Sequence, residues 1–346
     1  MRALASRHER LADLAVSFPA LLFALAVPRA GRDPATAIER AIEGSCLAEL
    51  AAAAGIPMWL RKLPPEAFVH RIGELPDGEL FRRRIANHMP GSARLAQMWL
   101  QAVTDAAEYT HEHAAVWVAR ELVRDPRNVN MRAMRLLCRV CLYAWFSGQA
   151  ETPAHALIDR PWEADMHFRT AVHAANRWHT KIDLRLNLGD APIADSWLGR
   201  GFAGGYEFVP IRSAAELTEE ADAMANCLTK YGYNLAHGWS RFFRVRKDGK
   251  RVATLEVARR GGDPLLNIEE LRGHRNKPVS AELSWAARHW LHRHELPEID
   301  VKWREHNKAP LDRSTWIALW RPYWLAKQRI PGWLPLRPTR AALRKL

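Results

Sequence analysis

The runs SRFFRVRK (240–247), DG (248–249) and KRVATLEV (250–257) decide the fold of the second half of this chain. Apolar and polar residues alternate on both sides of the Asp-Gly pair. That pair is favoured where a two-residue hairpin turn needs positive φ at both positions. Pairing outward from the turn sets Val245 opposite Val252, Phe243 opposite Thr254 and Arg241 opposite Glu256. In this register Glu256 shares the apolar face with Phe243 and Val245. Arg244, Arg246 and Arg251 share the other face, where like charges side by side favour solvent or an anion. A third run, LNIEEL (266–271), alternates so that Leu266, Ile268 and Glu270 point together. Two carboxylates on the side a helix would cover are unexpected, because buried charge is costly without partners.

Working outward, Tyr206 to Ile211 alternates as a strand does. Residues 213–232 read as one helix opened by a capping box, with Ser213 and Glu216 exchanging hydrogen bonds. Leu217, Ala221, Met224 and Leu228 form its core stripe. Cys227 and Tyr231, four apart, stack on one flank, and Gly232 serves as C-cap. The stretch that ends at Trp290 gives a closing helix. Upstream, the text is rich in Ala, Leu and Arg with helical periodicity. The spacing predicts helices from Pro34 through Ala54, from Ala93 through Val123 and from Asn130 through Phe146.

These patterns predict an α+β protein, an α-helical N-terminal domain followed by a small antiparallel β-sheet covered by helices. The expected division is a helical domain over 1–205 ending in a Gly-rich joint, an α+β domain over 206–300, and a basic Trp-rich tail over 301–346. In that tail Trp316, Trp320 and Trp324 fall on one helical face, and packing against the body is favoured over a stacking platform for nucleic acid.

Charge is uneven. The 346 residues carry a net charge of +13 and 15 tryptophans, and residues 206–346 hold 26 Lys+Arg against 16 Asp+Glu. A positive balance in one half points to a polyanionic partner such as nucleic acid. Arg244, Arg246, Lys250 and Arg251 of the hairpin are the candidate contacts. Four cysteines do not make a disulfide framework, so a cytoplasmic protein is expected. The apolar stretch from Leu14 to Val27 is interrupted by Pro19 and too short to span a membrane. It reads as a buried amphipathic helix, and no membrane association is expected.

Several motifs are weak. Gly199-Arg-Gly201-Phe-Ala-Gly204 matches a dinucleotide fingerprint, but a strand follows it where a helix is required. It reads as a hinge. Cys138 and Cys141 form a lone C-x-x-C inside an apolar helix, short of the four ligands of structural zinc. No metal and no cofactor are expected. His289, His292 and His294 read as a solvated basic face.

The remaining polar residues fall in a recognisable order: Asn226-Cys227-Leu228, Tyr231, Thr254-Leu255-Glu256, Glu270-Leu-Arg-Gly273 and Asn276. This order resembles the PcfJ-like protein family, named after a conjugative-plasmid protein. That family is marked by His-Cys-Val, a tyrosine, a Thr-Ile-Glu-like strand, a Gln-x-x-Gly segment and an asparagine. Here Asn226 stands for the histidine and Glu270 for the glutamine. The segment IPMWLRKLPPE (56–66) is similar to the helical N-terminal part of longer members. The resemblance implies a shared fold and a polar cluster in a mobile-element or phage context. It supplies no reaction, and a cysteine–histidine mechanism loses its base at Asn226.

Three functions stay open. One is a nucleic-acid-associated protein. The second is an enzyme whose pocket holds Cys227, Tyr231, Glu256, Glu270 and Asn276, with Glu256, Glu270 or His274 as the possible base for Cys227. The third is a scaffold in which these groups only satisfy one another.

Overall fold

The computed structural model describes residues 1–28, 33–128, 131–189, 192–259, 265–293 and 313–329. The chain divides into two compact units, Met1–Asn176 and Arg177–Leu346.

The first unit is built from helices: α1 (Arg2–Ala5), α2 (Glu9–Ser17), α3 (Pro19–Ala26), α4 (Ala35–Glu43), α5 (Leu47–Ala54), α6 (Glu79–Ile85), α7 (Ala93–Tyr109), α8 (Glu112–Arg124), α9 (Met131–Ser147) and the start of α10 (Phe168–Leu188). The helices expected from Pro34 to Ala54, from Ala93 to Val123 and from Leu14 to Val27 are each split in two. The stretch from Pro34 to Ala54 breaks at Gly44, whose φ of +94° suits glycine. The stretch from Ala93 to Val123 breaks at Thr110, whose hydroxyl donates to the Cys141 carbonyl at 2.8 Å. His111 then caps α8 by accepting from the Ala114 amide at 3.3 Å. Leu14 to Val27 splits at Phe18 into an amphipathic α2 and an α3 buried on most sides. No described helix is long and apolar enough to cross a membrane.

Several tryptophans serve this core with their indole N–H groups satisfied, as buried indoles require. Trp99 donates to the Ala119 carbonyl at 3.2 Å and Trp117 to that of Met166 at 2.7 Å. Cys141 is buried and Cys138 half-buried on α9, consistent with packing. Among the described residues no group of His, Cys, Asp and Glu is arranged to hold a metal ion.

The second unit is organised on a five-stranded antiparallel sheet, β1 (Gly201–Ala203), β2 (Tyr206–Ile211), β3 (Ser240–Lys247), β4 (Lys250–Arg259) and β5 (Leu266–Gly273), in sequential order. The Gly-rich stretch read as a hinge is therefore structural. Gly204 and Gly205, with φ of +55° and +78°, make the two-residue turn between β1 and β2. A Cβ on Gly201 would lie 2.4 Å from the Trp290 indole nitrogen, so that strand position must be bare. The Asp248-Gly249 turn has φ of +49° and +76°, as the hairpin signal requires.

Both faces of the sheet are covered. Helix α13 (Ala281–His292) lays Leu283, Ala286, Ala287, Trp290 and Leu291 on Phe208, Phe243, Val245, Leu255 and Val257. Trp290 stacks on Phe208 with centroids 4.6 Å apart. On the opposite face, α11 (Ala214–Met224), a 3-10 turn (Leu228–Tyr231) and α12 (Gly232–Ala236) bring Leu217, Ala221, Leu228 and Leu235 onto Ile211 and Phe242. Helix α14 (Arg313–Lys327) buries Trp316 and Trp320, the latter edge-on to Trp178 at 6.3 Å, so packing accounts for that face of the Trp-rich segment. His294, Trp333 and the prolines after residue 330 lie outside the described residues.

The hairpin register differs from the expected one. A β-bulge at Arg246/Val245 leaves Arg246 opposite Arg251 but sets Val245 opposite Ala253, Phe243 opposite Leu255 and Phe242 opposite Glu256. One extra residue in β4 turns every side chain beyond it to the other face. A second bulge between Glu256 and Val257 sets Glu256 opposite Glu270 and Val257 opposite Ile268. Glu256 and Glu270 do share a face, but it is the α11 face and not the one that holds Phe243, Val245 and Ile268.

Candidate active-site cleft

Helix α11 opens as its sequence demands, with the Ser213 hydroxyl accepting from the Glu216 amide at 3.2 Å. The Glu216 carboxylate reaches the Arg212 amide at 2.6 Å, one residue before the one a capping box would use. The helix ends at Met224, short of the expected Gly232, because Ala225 turns left-handed at φ +49°, ψ +46°. Cys227 therefore lies in a turn and not on a helical flank. Asn226 shapes that turn: its side-chain oxygen accepts from the Leu228 amide at 3.1 Å, the local bond that favours asparagine in turns. Gly232 sits against Leu184, whose Cδ2 would be 2.4 Å from an added Cβ.

This turn lies over the bulged end of the β4–β5 pair. Asn226, Cys227, Leu228, Tyr231, Phe242, Thr254, Glu256, Glu270, Arg272 and Asn276 line one cleft of about 30 Å³. That volume admits roughly one or two water molecules. All five candidate residues, Cys227, Tyr231, Glu256, Glu270 and Asn276, are thus brought together from the 225–231 turn, β4, β5 and the turn after β5. His274 is not among the lining residues and is exposed.

The two glutamates differ in setting. Glu256 is 7% exposed, and its carboxyl accepts from the Ser240 hydroxyl at 2.6 Å. Burial pushes its pKa above the ordinary glutamate value, with the Glu270 and Glu269 charges adding to the rise and the Ser240 bond opposing it. Glu270 is half-exposed and accepts from Arg272 Nε at 3.0 Å. One carboxyl is thereby held toward its protonated form, while the other carries a cationic partner. Tyr231 sits edge-on to Phe242 at 5.6 Å. Its phenol is raised by burial first, then by the nearby Glu270, Cys227 and Glu256. Cys227 is exposed at the lip of the cleft.

Behind the cleft runs a polar chain that the sequence reading missed. Asn226 Nδ2 donates to Thr254 Oγ1 at 3.2 Å, and Thr254 Oγ1 donates to Glu220 Oε1 at 3.2 Å. Glu220 is fully buried. Its other oxygen lies 3.1 Å from Arg251 Nε and 3.7 Å from Arg244 Nε. Burial raises the Glu220 pKa, and the two guanidinium groups oppose that rise. Arg251 also pairs with Glu219. This corrects the reading of the arginine face. Arg244, Arg246 and Arg251 share a face as expected, yet α11 covers it and supplies the anions, so Arg244 is buried and Arg246 and Arg251 are half-buried. Of the four hairpin cations proposed for nucleic acid, Lys250 alone is exposed. The signal was available in Glu219-Glu220, which a helix over the sheet would set above the arginines.

Backbone strain gathers at the same place. Ala225, Arg275 and Asn276 have φ of +49°, +56° and +58°, a region that costs a non-glycine residue roughly 1 kcal/mol or more. Asparagine tolerates it best of the three. The segments that flank the cleft carry exposed cations, Arg272, Arg275 and Lys277 around Asn276 and Lys230 beside Tyr231.

No family model, curated protein or solved structure matches the chain.

Proposed function

We propose that the C-terminal unit is an enzyme whose cleft performs acid–base hydrolysis of an anionic substrate. The observation that carries this reading is the opposed Glu256–Glu270 pair. Two carboxyls in one cleft, one raised by burial and one paired to Arg272, have the division of labour that acid and base roles require. Glu256 holds the proton for a leaving group, and Glu270 takes one from water. Asn276 offers an amide to the substrate, and the flanking cations attract its negative charge. Cys227 and Tyr231 line the entrance. A cysteine nucleophile is the weaker assignment, because no histidine lines the cleft beside Cys227 and its lining cation, Arg272, is already paired to Glu270.

The test is turnover of a panel of phosphate and carboxylate esters by the full chain, beside Glu256→Gln and Glu270→Gln. General acid–base groups contribute on the order of 100-fold or more, so each variant should lose at least that much with its circular dichroism unchanged. Equal behaviour of the three proteins across the panel removes the proposal and leaves the polar cluster as a scaffold.

Association with nucleic acid is the second reading, favoured by the net charge of +13 and by the exposed cations that flank the cleft. The resemblance of the residues from Asn226 to Asn276 to PcfJ-like proteins supports a mobile-element or phage context for this reading.

A further inference from the structure

Helix α13 presents two contrasting sides. Leu283, Ala286, Ala287, Trp290 and Leu291 are buried against the sheet. Trp285, Arg288, His289 and His292 fall at i, i+3, i+4 and i+7, a single stripe on the opposite side. Trp285, Arg288 and His292 are exposed and His289 is half-buried, while Arg293 extends the stripe as an exposed cation.

Cations at a helix C-terminus have an ordinary explanation in the helix dipole, which covers His292 and Arg293. It does not cover Trp285, in the second turn of the helix. This indole is 60% exposed. It is also held in place. The His289 ring stacks on it with centroids 4.9 Å apart and planes 10° from parallel. On another side the β1–β2 turn approaches it, since a Cβ on Gly204 would lie 3.8 Å from the indole edge. An aromatic that folding leaves in water yet fixes in orientation has lost its side-chain entropy before any partner arrives. The one acid on this side, Glu282, is already met by Lys247 at 3.4 Å, so the stripe is positively charged beyond its first turn.

We propose that the α13 stripe is a docking surface for single-stranded nucleic acid. An unpaired base stacks on the Trp285–His289 pair, while Arg288 and Arg293 meet the adjoining phosphates. A fixed indole flanked by guanidinium groups at helical spacing is the combination single strands use, because every base offers a ring face and every linkage a charge. Duplex DNA keeps its ring faces stacked internally and cannot use the indole. The proposal rests on the nucleic-acid reading and is independent of the cleft.

The experiment measures binding of a fluorescently labelled single-stranded oligonucleotide to the full chain across a salt series. Wild type, Trp285→Phe, Trp285→Ala and Arg288→Gln are compared, with the matched duplex as competitor. Trp285→Ala should weaken binding on the order of tenfold, with Trp285→Phe retaining most of it. Arg288→Gln should lower the slope of log affinity against log salt by about 0.7, the value of one phosphate contact on a single strand. The duplex should compete poorly. Wild-type binding with Trp285→Ala unchanged overturns this surface and leaves the nucleic-acid reading standing. Absence of wild-type binding at low salt removes both. Equal competition by duplex overturns the stacking role. A change of sedimentation on Trp285→Ala, with oligonucleotide affinity unaltered, assigns the stripe to a second copy of the chain instead.

Discussion

At the residue scale the most informative group is Glu256. Its carboxyl lies under the 225–231 turn, bonded to Ser240, and burial holds its proton to higher pH than in the unfolded chain. Between the ordinary glutamate value and the raised one, the native state therefore binds more protons than the unfolded state. Stability falls as pH rises through that window. Glu256→Gln is uncharged throughout and should remove this part of the slope. Urea midpoints measured over about pH 4 to 8 should show wild type losing ground to the variant as pH increases. Parallel curves would mean that Glu256 ionises as it does in the unfolded chain. The identity of the cleft residues was legible, because Cys227, Tyr231, Glu256, Glu270 and Asn276 are polar groups set off within otherwise regular helix and strand patterns. Their setting was not. That Cys227 stands in a turn depends on Ala225 adopting a left-handed conformation, which alanine's strong helix preference argues against.

At the element scale the sheet shows what alternation reveals and what it hides. The β3–β4 hairpin and its turn follow from Asp248-Gly249 and the flanking pattern. The register does not, because a bulge adds one residue without any residue type that announces it. Val252 and Ala253 suit either register, so the sequence offered no reason to insert the extra position there. The consequence was large, since it moved Thr254 and Glu256 from the α13 side to the α11 side. Once there, Thr254 joins Glu220, and Glu220 holds Arg244 and Arg251. This chain ties α11 to β3 and β4. Replacing Glu220 with alanine leaves the buried Arg244 without its fully buried counter-charge and breaks the bond to Thr254. Loss of one partner from a buried pair costs about 3 kcal/mol, and chemical denaturation of Glu220→Ala should show a loss of that order. A double change, Glu220→Ala with Arg244→Met, should recover part of it. If the single variant is as stable as wild type, the arginines find water or Glu219 sufficient.

At the scale of the whole molecule the division into units falls at Asn176 within α10, while the sequence pattern placed it at residue 205. Glycine enrichment marked the change of texture from helix to sheet. It could not reveal that Gly201–Ala203 is already the first strand, or that α10 continues into the second unit. The four thiols offer a check on both units. Cys46 and Cys227 are exposed, Cys138 is half-buried and Cys141 is buried. Burial raises the Cys138 thiol to about 11 and Cys141 further still, whereas a reactive thiolate needs exposure and a low pKa. A disulfide reagent at mildly alkaline pH should titrate two thiols quickly and the other two only on unfolding. Rapid reaction of all four would contradict the packing of α9.

The order of the strands bears on how this site comes into being. Strands β3, β4 and β5 are joined by short links and can pair as a local meander, since nearby segments close small loops first. The cleft, however, takes one wall from the turn before β3 and another from the turn after β5. Neither wall belongs to the meander that carries the glutamates. The pocket can close only after the chain on both flanks has folded back over the same sheet face, so shielding of Tyr231 and Glu256 from solvent is a late event in refolding. A spectroscopic probe at Tyr231 should therefore report closure of the cleft after circular dichroism has reported the sheet.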